Sequence, residues 1–503
     1  MLLCGSGCVD ERPIGEHFTG KRMGAARIGQ VGMQGIVSLG KSFVLRSRSF
    51  AARLGPLLWL ATFLLCDIDF VFLMSNPVHS QEPEPSGVMV LDNDPTPKSP
   101  NDSKPIEKEI ASQADKKYKD DEQWKVKLGG HMQMDYVLWA NAAPSIPDTY
   151  NYFNFRRLRL VADGTGYEVY DFRLQMTLEP DSTGDAPPEL PLTPQVKDAY
   201  MSMNEIPLLG RFRIGNFFVP FGLEQVTNDT NNIFLERSIP TQNVFTADRE
   251  VGVALYNCTE DQRLTWTTGC FFDSISEGAK KRLDDNQGIR VSGRVTWLPY
   301  YDRSSPGRRL IHTGAGILYT DDYDNRVRIR ARPQVSEGPR LIDSGILNAD
   351  RYTIGNIEKA LVWGRFAVQS EAFLGTMQLL DGRNPNVNGA YLHASWFLTG
   401  ESRKFETFGQ HGAQFGRNAP THNFRFRRGT FQPGALELKA RWSYLDMNQI
   451  AAGQYNDFTL GCNWYWSDRT RWMFDWIHPI TSASTVYGAT QSDLLAMRFD
   501  INW

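Results

Sequence analysis

Leu494-Leu495-Ala496-Met497-Arg498-Phe499-Asp500-Ile501-Asn502-Trp503 is the stretch whose reading decides the fold. In an extended chain successive side chains point to opposite faces, so Leu495, Met497, Phe499, Ile501 and Trp503 fall on one side and Ala496, Arg498, Asp500 and Asn502 on the other. A helix would scatter both sets around its axis. The stretch therefore predicts a strand with one greasy and one polar face, closing on an aromatic ring that suits a membrane interface.

Working outward, the same division recurs from Trp124 onward. Val126, Leu128, Met132, Met134, Tyr136 and Leu138 share one parity against Lys127, His131, Gln133 and Asp135; Phe172, Leu174, Met176 and Leu178 oppose Asp171, Arg173, Gln175 and Thr177. Leu436, Leu438, Ala440, Trp442 and Tyr444 likewise oppose Glu437, Lys439, Arg441 and Ser443. A soluble sandwich alternates too, since its apolar face meets a second sheet and its polar face meets water. In a porin the apolar face meets lipid and the polar face a lumen.

Connections and aromatics favour the barrel. About sixteen strands are expected, an even number as in bacterial barrels. Tight turns are predicted at 164–166, 204–207, 258–262, 357–359 and 467–469, and long loops at 141–150, 180–194, 218–248, 273–287, 321–349 and 479–490. Short turns on one rim and long loops on the other describe an outer-membrane barrel; only 400–433 is long where a short turn is due. Trp266, Phe272, Trp297, Trp396, Trp464, Trp466, Trp472 and Trp476 stand near strand ends on the apolar parity. On a soluble surface they would promote aggregation, whereas on a lipid-facing wall they form a girdle.

Composition is consistent with this. Of 503 residues 41% are hydrophobic and 12% aromatic, with 43 Gly and 13 Trp, yet mean hydropathy is −0.39. A helical membrane bundle would need several apolar runs of about twenty residues. The one approach to such a run, 54–65, is short and is followed by Asp67 and Asp69; basic Lys41, Arg46, Arg48 and Arg53 precede it, and Val78-His79-Ser80 offers a cleavage site. Residues 1–80 are read as an export signal with a long leader, cleaved near Ser80. Residues 81–122 are Pro-rich and charged, too poor in apolar groups to offset their ordering entropy, and are read as a disordered tether. Residues 123–503 are the barrel. Cys258, Cys270 and Cys462 would remain after cleavage, an odd and widely spaced trio that is neither a metal site nor a disulfide framework. A net charge of −3 says little about partners, and no nucleic-acid footprint is present.

Carrying the parity through each strand places Arg157, Arg159, Arg173, Arg211, Arg213, Arg290, Arg294, Arg365, Lys439 and Arg441 on the polar face as an anion pathway, with Lys127, Arg263, Arg471 and Arg498 in the same set. Acids on that face are fewer: Asp135, Asp163, Asp171, Glu179, Asp198, Glu371, Glu437, Asp475 and Asp500. Guanidinium keeps its charge at every relevant pH and offers forked donors to oxyanions. Cross-strand pairing of these charges is the alternative. The stretch 218–248 carries Phe221, Leu223, Ile233, Phe234 and Leu235 and is expected to fold inward as a long third loop; Glu224, Glu236, Arg237 and Arg249 then stand at the constriction.

Several segments resemble the phosphate-selective porin family, porins O and P. They are Phe155-Arg156-Arg157-Leu158-Arg159-Leu160, the run 214–224 (IGNFFVPFGLE), Phe234-Leu235-Glu236-Arg237-Ser238, Arg249-Glu250-Val251-Gly252, 293–299 (GRVTWLP), 397–403 (FLTGESR) and 434–441 (GALELKAR). The resemblance implies a sixteen-stranded trimeric channel for phosphate or polyphosphate, with 400–433 as a long periplasmic connection. Family members often carry Lys after a Gly-Gln-Phe element, where this chain has Phe218 after Gly215-Asn216-Phe217.

An enzyme is not expected. His131, His312 and His393 sit on separate strands without metal spacing, and no Gly-x-Ser-x-Gly, phosphate loop or His-Glu-x-x-His element occurs. The reading is an outer-membrane, water-filled, anion-favouring porin without cofactor or metal. A general non-specific porin and a secreted soluble all-β binding module are the alternatives.

Overall fold

The computed structural model describes residues 124–179, 194–242, 244–272, 288–305, 307–322 and 324–503. The expected leader and tether, and the loops expected at 180–194 and 273–287 except Pro194, lie outside the described residues.

Sixteen antiparallel strands circle a lumen. They are β1 (Lys125–Asn141), β2 (Tyr152–Gly166), β3 (Tyr170–Thr177), β4 (Gln195–Ile206), β5 (Gly210–Phe218), β6 (Arg249–Cys258), β7 (Leu264–Phe271) and β8 (Ile289–Tyr301). The circle continues through β9 (Arg309–Asp321), β10 (Leu347–Trp363), β11 (Phe366–Leu379), β12 (Asn386–Phe397), β13 (Ala435–Met447), β14 (Gly453–Tyr465), β15 (Thr470–Thr481) and β16 (Asp493–Asn502). Each strand pairs with its sequence neighbours, and β1 closes on β16 in the register Met132↔Ile501 and Met134↔Phe499. A further two-residue segment, Arg326–Val327, extends the sheet beside β10.

Gly130 explains how the seam closes. Its N–H and C=O exchange hydrogen bonds with Trp503, and a Cβ there would lie 2.5 Å from the Trp503 ring. Glycine gives the indole its space.

Burial runs opposite to that of a soluble protein. In β8 the outward Val291, Val295 and Trp297 are 42%, 51% and 47% exposed, while Arg290, Ser292, Arg294 and Thr296 are buried. Apolar side chains so exposed along every wall are stable only against another apolar medium, here acyl chains. The expected aromatic girdle is present on the short-turn rim, where Trp466 lies 5.3 Å from Trp464 and 6.1 Å from Trp472, and Trp472 lies 4.8 Å from Phe499.

Two expected turns are corrected: Gly164-Thr165-Gly166 is the end of β2, paired to β1 and β3, with the turn at 167–169, and the other is the one expected at 357–359. Asn356-Ile357-Glu358-Lys359 is not a turn but the middle of β10, paired to β9 and β11 on both sides. Asn356 and Glu358 face the lumen and Ile357 faces lipid, so the polar look of the segment is ordinary alternation. The turn comes at Gly364, with φ of 60°, a value that favours glycine.

Among the described residues three inserted segments pack the lumen, so it is narrower than an open water-filled tube. From the long-loop rim come 219–248 and 322–346. From the short-turn rim comes 398–434, the segment that broke the alternation. It forms one hairpin, Phe405–Gly409 with Gly412–Phe415, that enters the lumen, and a second, Arg425–Arg427 with Thr430–Gln432.

Candidate anion pathway

The first cluster is built by a β-bulge. The register passes from Gln133↔Arg157 to Met134↔Phe155, leaving Arg156 without a cross-strand partner. Such a bulge re-aims a side chain, so Arg156 joins Arg157 and Arg159 on the inner side although strict alternation would turn it to lipid. Arg157 Nε lies 2.8 Å and Arg159 Nη1 2.9 Å from Asp229 Oδ2, and Arg156 Nε lies 2.6 Å from Glu236 Oε1. Burial alone would raise both acids; Arg157 and Arg159 hold Asp229, and Arg156, Arg157 and Arg498 hold Glu236, below the ordinary carboxylate range.

The long third loop folds inward as expected. Its short helix Leu223–Val226 directs the N–H groups of Leu223 and Glu224 at the Glu371 carboxylate of β11, at 2.9 and 2.7 Å, so a wall acid takes the role of an N-cap. Phe245 stacks on Phe373 at 5.5 Å. Much of the wall's cationic set anchors this loop. Lys439 Nζ donates to Ile233 O at 2.6 Å, Arg441 Nη1 to Glu236 O at 2.9 Å, Arg471 to the carbonyls of Thr230 and Asn232 at 2.8 Å, and Arg498 to Leu235 O. Loop carbonyls inside a barrel lack sheet partners, and guanidinium, donor only, satisfies them.

Of the expected constriction residues, Glu224 accepts hydrogen bonds from Ser238 N and Oγ. Glu236 joins Arg156 and Arg498. Arg237 donates to the carbonyls of Glu224, Gln225 and Thr227, stapling the loop to itself. Arg249 pairs with Asp198 at 2.8 Å and its Cζ stands 3.8 Å above the Phe218 ring. Where the resemblance leads one to expect a lysine, the aromatic face of Phe218 seats an arginine instead.

Arg211, Arg213 and Arg173 meet the tip of the inner hairpin. Arg211 donates to Asn204 Oδ1 at 2.7 Å and to Gly409 O and Gln410 O at 3.1 and 3.2 Å. Arg213 donates to Ser202 Oγ at 3.0 Å and lies over Tyr200 at 4.0 Å and Tyr256 at 5.0 Å. Neither forms an ion pair among the described residues. Arg173 donates to Gln410 Oε1 at 2.8 Å and has only distant carboxylates, Asp163 at 3.6 Å and Asp198 at 3.7 Å. His411 at the hairpin tip lies 3.4 Å from Arg213 and edge-on to Phe218 at 5.5 Å. Its burial, together with Arg213, Arg173, Arg249 and Arg211, pushes its pKa well below the usual imidazole value. Four guanidinium groups converge here, and their close acidic partners are Asp198 and Asp248, both on Arg249, at 2.8 and 3.2 Å.

The remaining expected residues are placed as follows. Arg290 binds Glu250, Thr320 and Tyr352. Arg294 pairs with Glu358 at 2.7 Å and donates to Ala413 O at 2.9 Å, with His312 Nε2 2.9 Å from the same Glu358. Arg365 is the correction: it is exposed on the turn after β10, because the strand boundary lies later than the misread 357–359 turn implied. Arg263, from the same polar set, likewise falls on a turn. Sequence reasoning missed Arg156, Asp229, Glu358 and His411. Glu358 had a signal, its parity with Asn356 against Ile357 and Leu361; the others stand on inserted segments or a bulge, where parity says nothing.

The sequence profile described as phosphate-selective porin O and P matches residues 126–503. A Caulobacter vibrioides protein, described as uncharacterized, is 27% identical over 340 residues, 63% of this chain and 64% of that one, so the chain spans less than two thirds of that relative. Porin O of Pseudomonas aeruginosa is 23% identical over 390 residues, 70% of this chain and 82% of that one. Among solved structures, a loop L8 deletion mutant of OmpT, an outer membrane protein of Vibrio cholerae, aligns with a TM-score of 0.48 at 9% identity, over 76% of this chain and 99% of that one. With a closed sixteen-stranded barrel whose greasy wall faces outward, and a family match across the whole of it, the chain is an outer-membrane porin channel and belongs to the phosphate-selective porin O and P family.

Proposed function

We propose that the channel favours anions, phosphate among them, and that Arg173, Arg211, Arg213 and Arg249 around the inner hairpin form the site where an anion is held in transit. The observation that carries this reading is the pair Arg211, half-buried, and Arg213, buried, whose partners are carbonyl, amide, hydroxyl and π-face rather than carboxylate. A cation held by neutral acceptors keeps its field, whereas one paired to a carboxylate has its field cancelled nearby. The ion-paired Arg157, Arg159, Arg290, Arg294, Lys439 and Arg441 act in this reading as supports for the lumen and as a polar wall along the path. Family kinship supports phosphate as the physiological anion, an assembly of three barrels, and export by a leader in 1–80 cleaved near Ser80 ahead of the 81–122 tether.

The test is a phosphate titration of the chloride current in planar bilayers. Binding at the arginine cluster predicts saturable inhibition, weakened about tenfold or more in Arg213→Gln. A general pore predicts a linear exchange of one current for the other, and that result would reject a phosphate site.

A further inference from the structure

The second hairpin of the long short-turn-rim segment has no part in the lumen. It reads Phe424-Arg425-Phe426-Arg427-Arg428-Gly429-Thr430-Phe431-Gln432 and pairs Phe426 with Phe431 across its two strands. Alternation along a strand places Phe424 and Phe426 on one face, with Phe431 opposite Phe426, and Arg425 and Arg427 on the other. The aromatic face is bare: Phe426 is 83% and Phe431 66% exposed. The guanidinium groups of Arg425, Arg427 and Arg428 make no hydrogen bond or ion pair among the described residues, and 424–432 contains no acid.

Its position fixes what it meets. Phe424 stacks on Trp466 at 5.3 Å and stands edge-on to Trp464 at 5.1 Å, its N–H donates to Trp466 O at 2.7 Å, and Trp464 Nε1 donates to Pro433 O at 2.7 Å. Both tryptophans belong to the outward aromatic girdle. The hairpin is thus pinned at both ends to the lipid-facing wall at the short-turn rim, which in barrels of this kind faces the periplasm. An aromatic face continuous with the girdle, backed by three unneutralised arginines, has the chemistry of an element lying in the interface of an anionic membrane. Rings enter the acyl boundary and arginines reach headgroup phosphates.

We infer that the 424–432 hairpin docks on the anionic phospholipid surface of the periplasmic leaflet, as a lateral anchor of the barrel. The inference rests on the barrel spanning a membrane and is independent of which ion crosses it.

The full chain in nanodiscs tests it, because both rims are then open to protease. Trypsin cleavage after Arg425, Arg427 and Arg428 is measured against cleavage after Arg383, which lies on the opposite rim with its side chain 68% exposed. In discs of equal phosphatidylcholine and phosphatidylglycerol the hairpin is expected to be cut at least about tenfold more slowly, relative to Arg383, than in phosphatidylcholine alone, and high salt should restore cleavage. The double variant Phe426→Ser/Phe431→Ser, with heat-modifiable migration confirming its fold, should lose most of that protection. Equal relative rates in the two discs would overturn the inference. That holds whether both are fast, with nothing covering the hairpin, or both slow, with a neighbouring subunit doing so.

Discussion

Arg294 shows what a charge does in this lumen. Its guanidinium and the Glu358 carboxylate are both fully buried and lie 2.7 Å apart, with His312 on the same carboxylate. Removing one partner strands the other without water, which costs about 3–5 kcal/mol, whereas replacing both with apolar groups is close to neutral. Arg294→Leu should therefore lower the urea unfolding midpoint of the vesicle-reconstituted barrel sharply, and Arg294→Leu/Glu358→Leu should recover most of the loss. If the double variant were as unstable as the single one, the pair would not be the stabilising unit. Arg213 differs in kind: it has no carboxylate to strand, so Arg213→Gln should cost less stability and act mainly on the current.

At the scale of elements, the inner hairpin is the part whose docking responds to pH. His411 is held neutral by burial and by Arg213, Arg173, Arg249 and Arg211, with its pKa lowered from 6.5. A base whose folded pKa is depressed contributes its full stabilisation above the unfolded value and loses it as pH falls below that value. Docking of 405–415 should weaken below about pH 6.5, by up to about 1.4 kcal/mol per unit until the depressed pKa is reached. Conductance should rise with acidification in the wild type and stay flat in His411→Gln; a flat wild-type profile would show that the hairpin does not move on this titration. The third loop weakens in the same direction, in a more acidic window. Asp229 and Glu236 have depressed pKa values, so their contribution is complete above the ordinary carboxylate range and is lost progressively as pH falls from there to the lowered values.

Elements also show why the strands were legible and the plug was not. Lipid on one side and a polar lumen on the other impose a period of two that survives in β1, β3, β13 and β16 without any tertiary knowledge. The same rule failed at Asn356-Ile357-Glu358-Lys359, because a polar inward set in a wall strand looks like a turn, and that displaced Arg365 from turn to wall. It failed at Arg156 because a bulge changes parity without changing composition. The inward path of 405–415 depends on Arg211 and Arg294 meeting the carbonyls of Gly409, Gln410 and Ala413. Backbone acceptors carry no sequence signature. The segment's length was visible; its destination was not.

At the scale of the whole molecule, the barrel is a soluble protein turned outside in, with its hydrogen-bonded charge inside and its aliphatic and aromatic surface facing lipid. Closure at the seam is part of that arrangement. Gly130→Val would place a side chain where the Trp503 ring sits, so the variant should fold more slowly into vesicles and lose heat-modifiable migration at a lower temperature than the wild type. Unchanged migration would show that the seam tolerates the displaced indole.

In the proposed reading, Arg211 and Arg213, held by neutral acceptors with no carboxylate partner among the described residues, give the passage net positive potential. The reversal potential of the single channel in a potassium chloride gradient measures that sign directly. A value displaced toward the chloride equilibrium potential, and moved toward zero in Arg211→Gln/Arg213→Gln, is the predicted result. A wild-type value displaced toward the potassium equilibrium potential would contradict it.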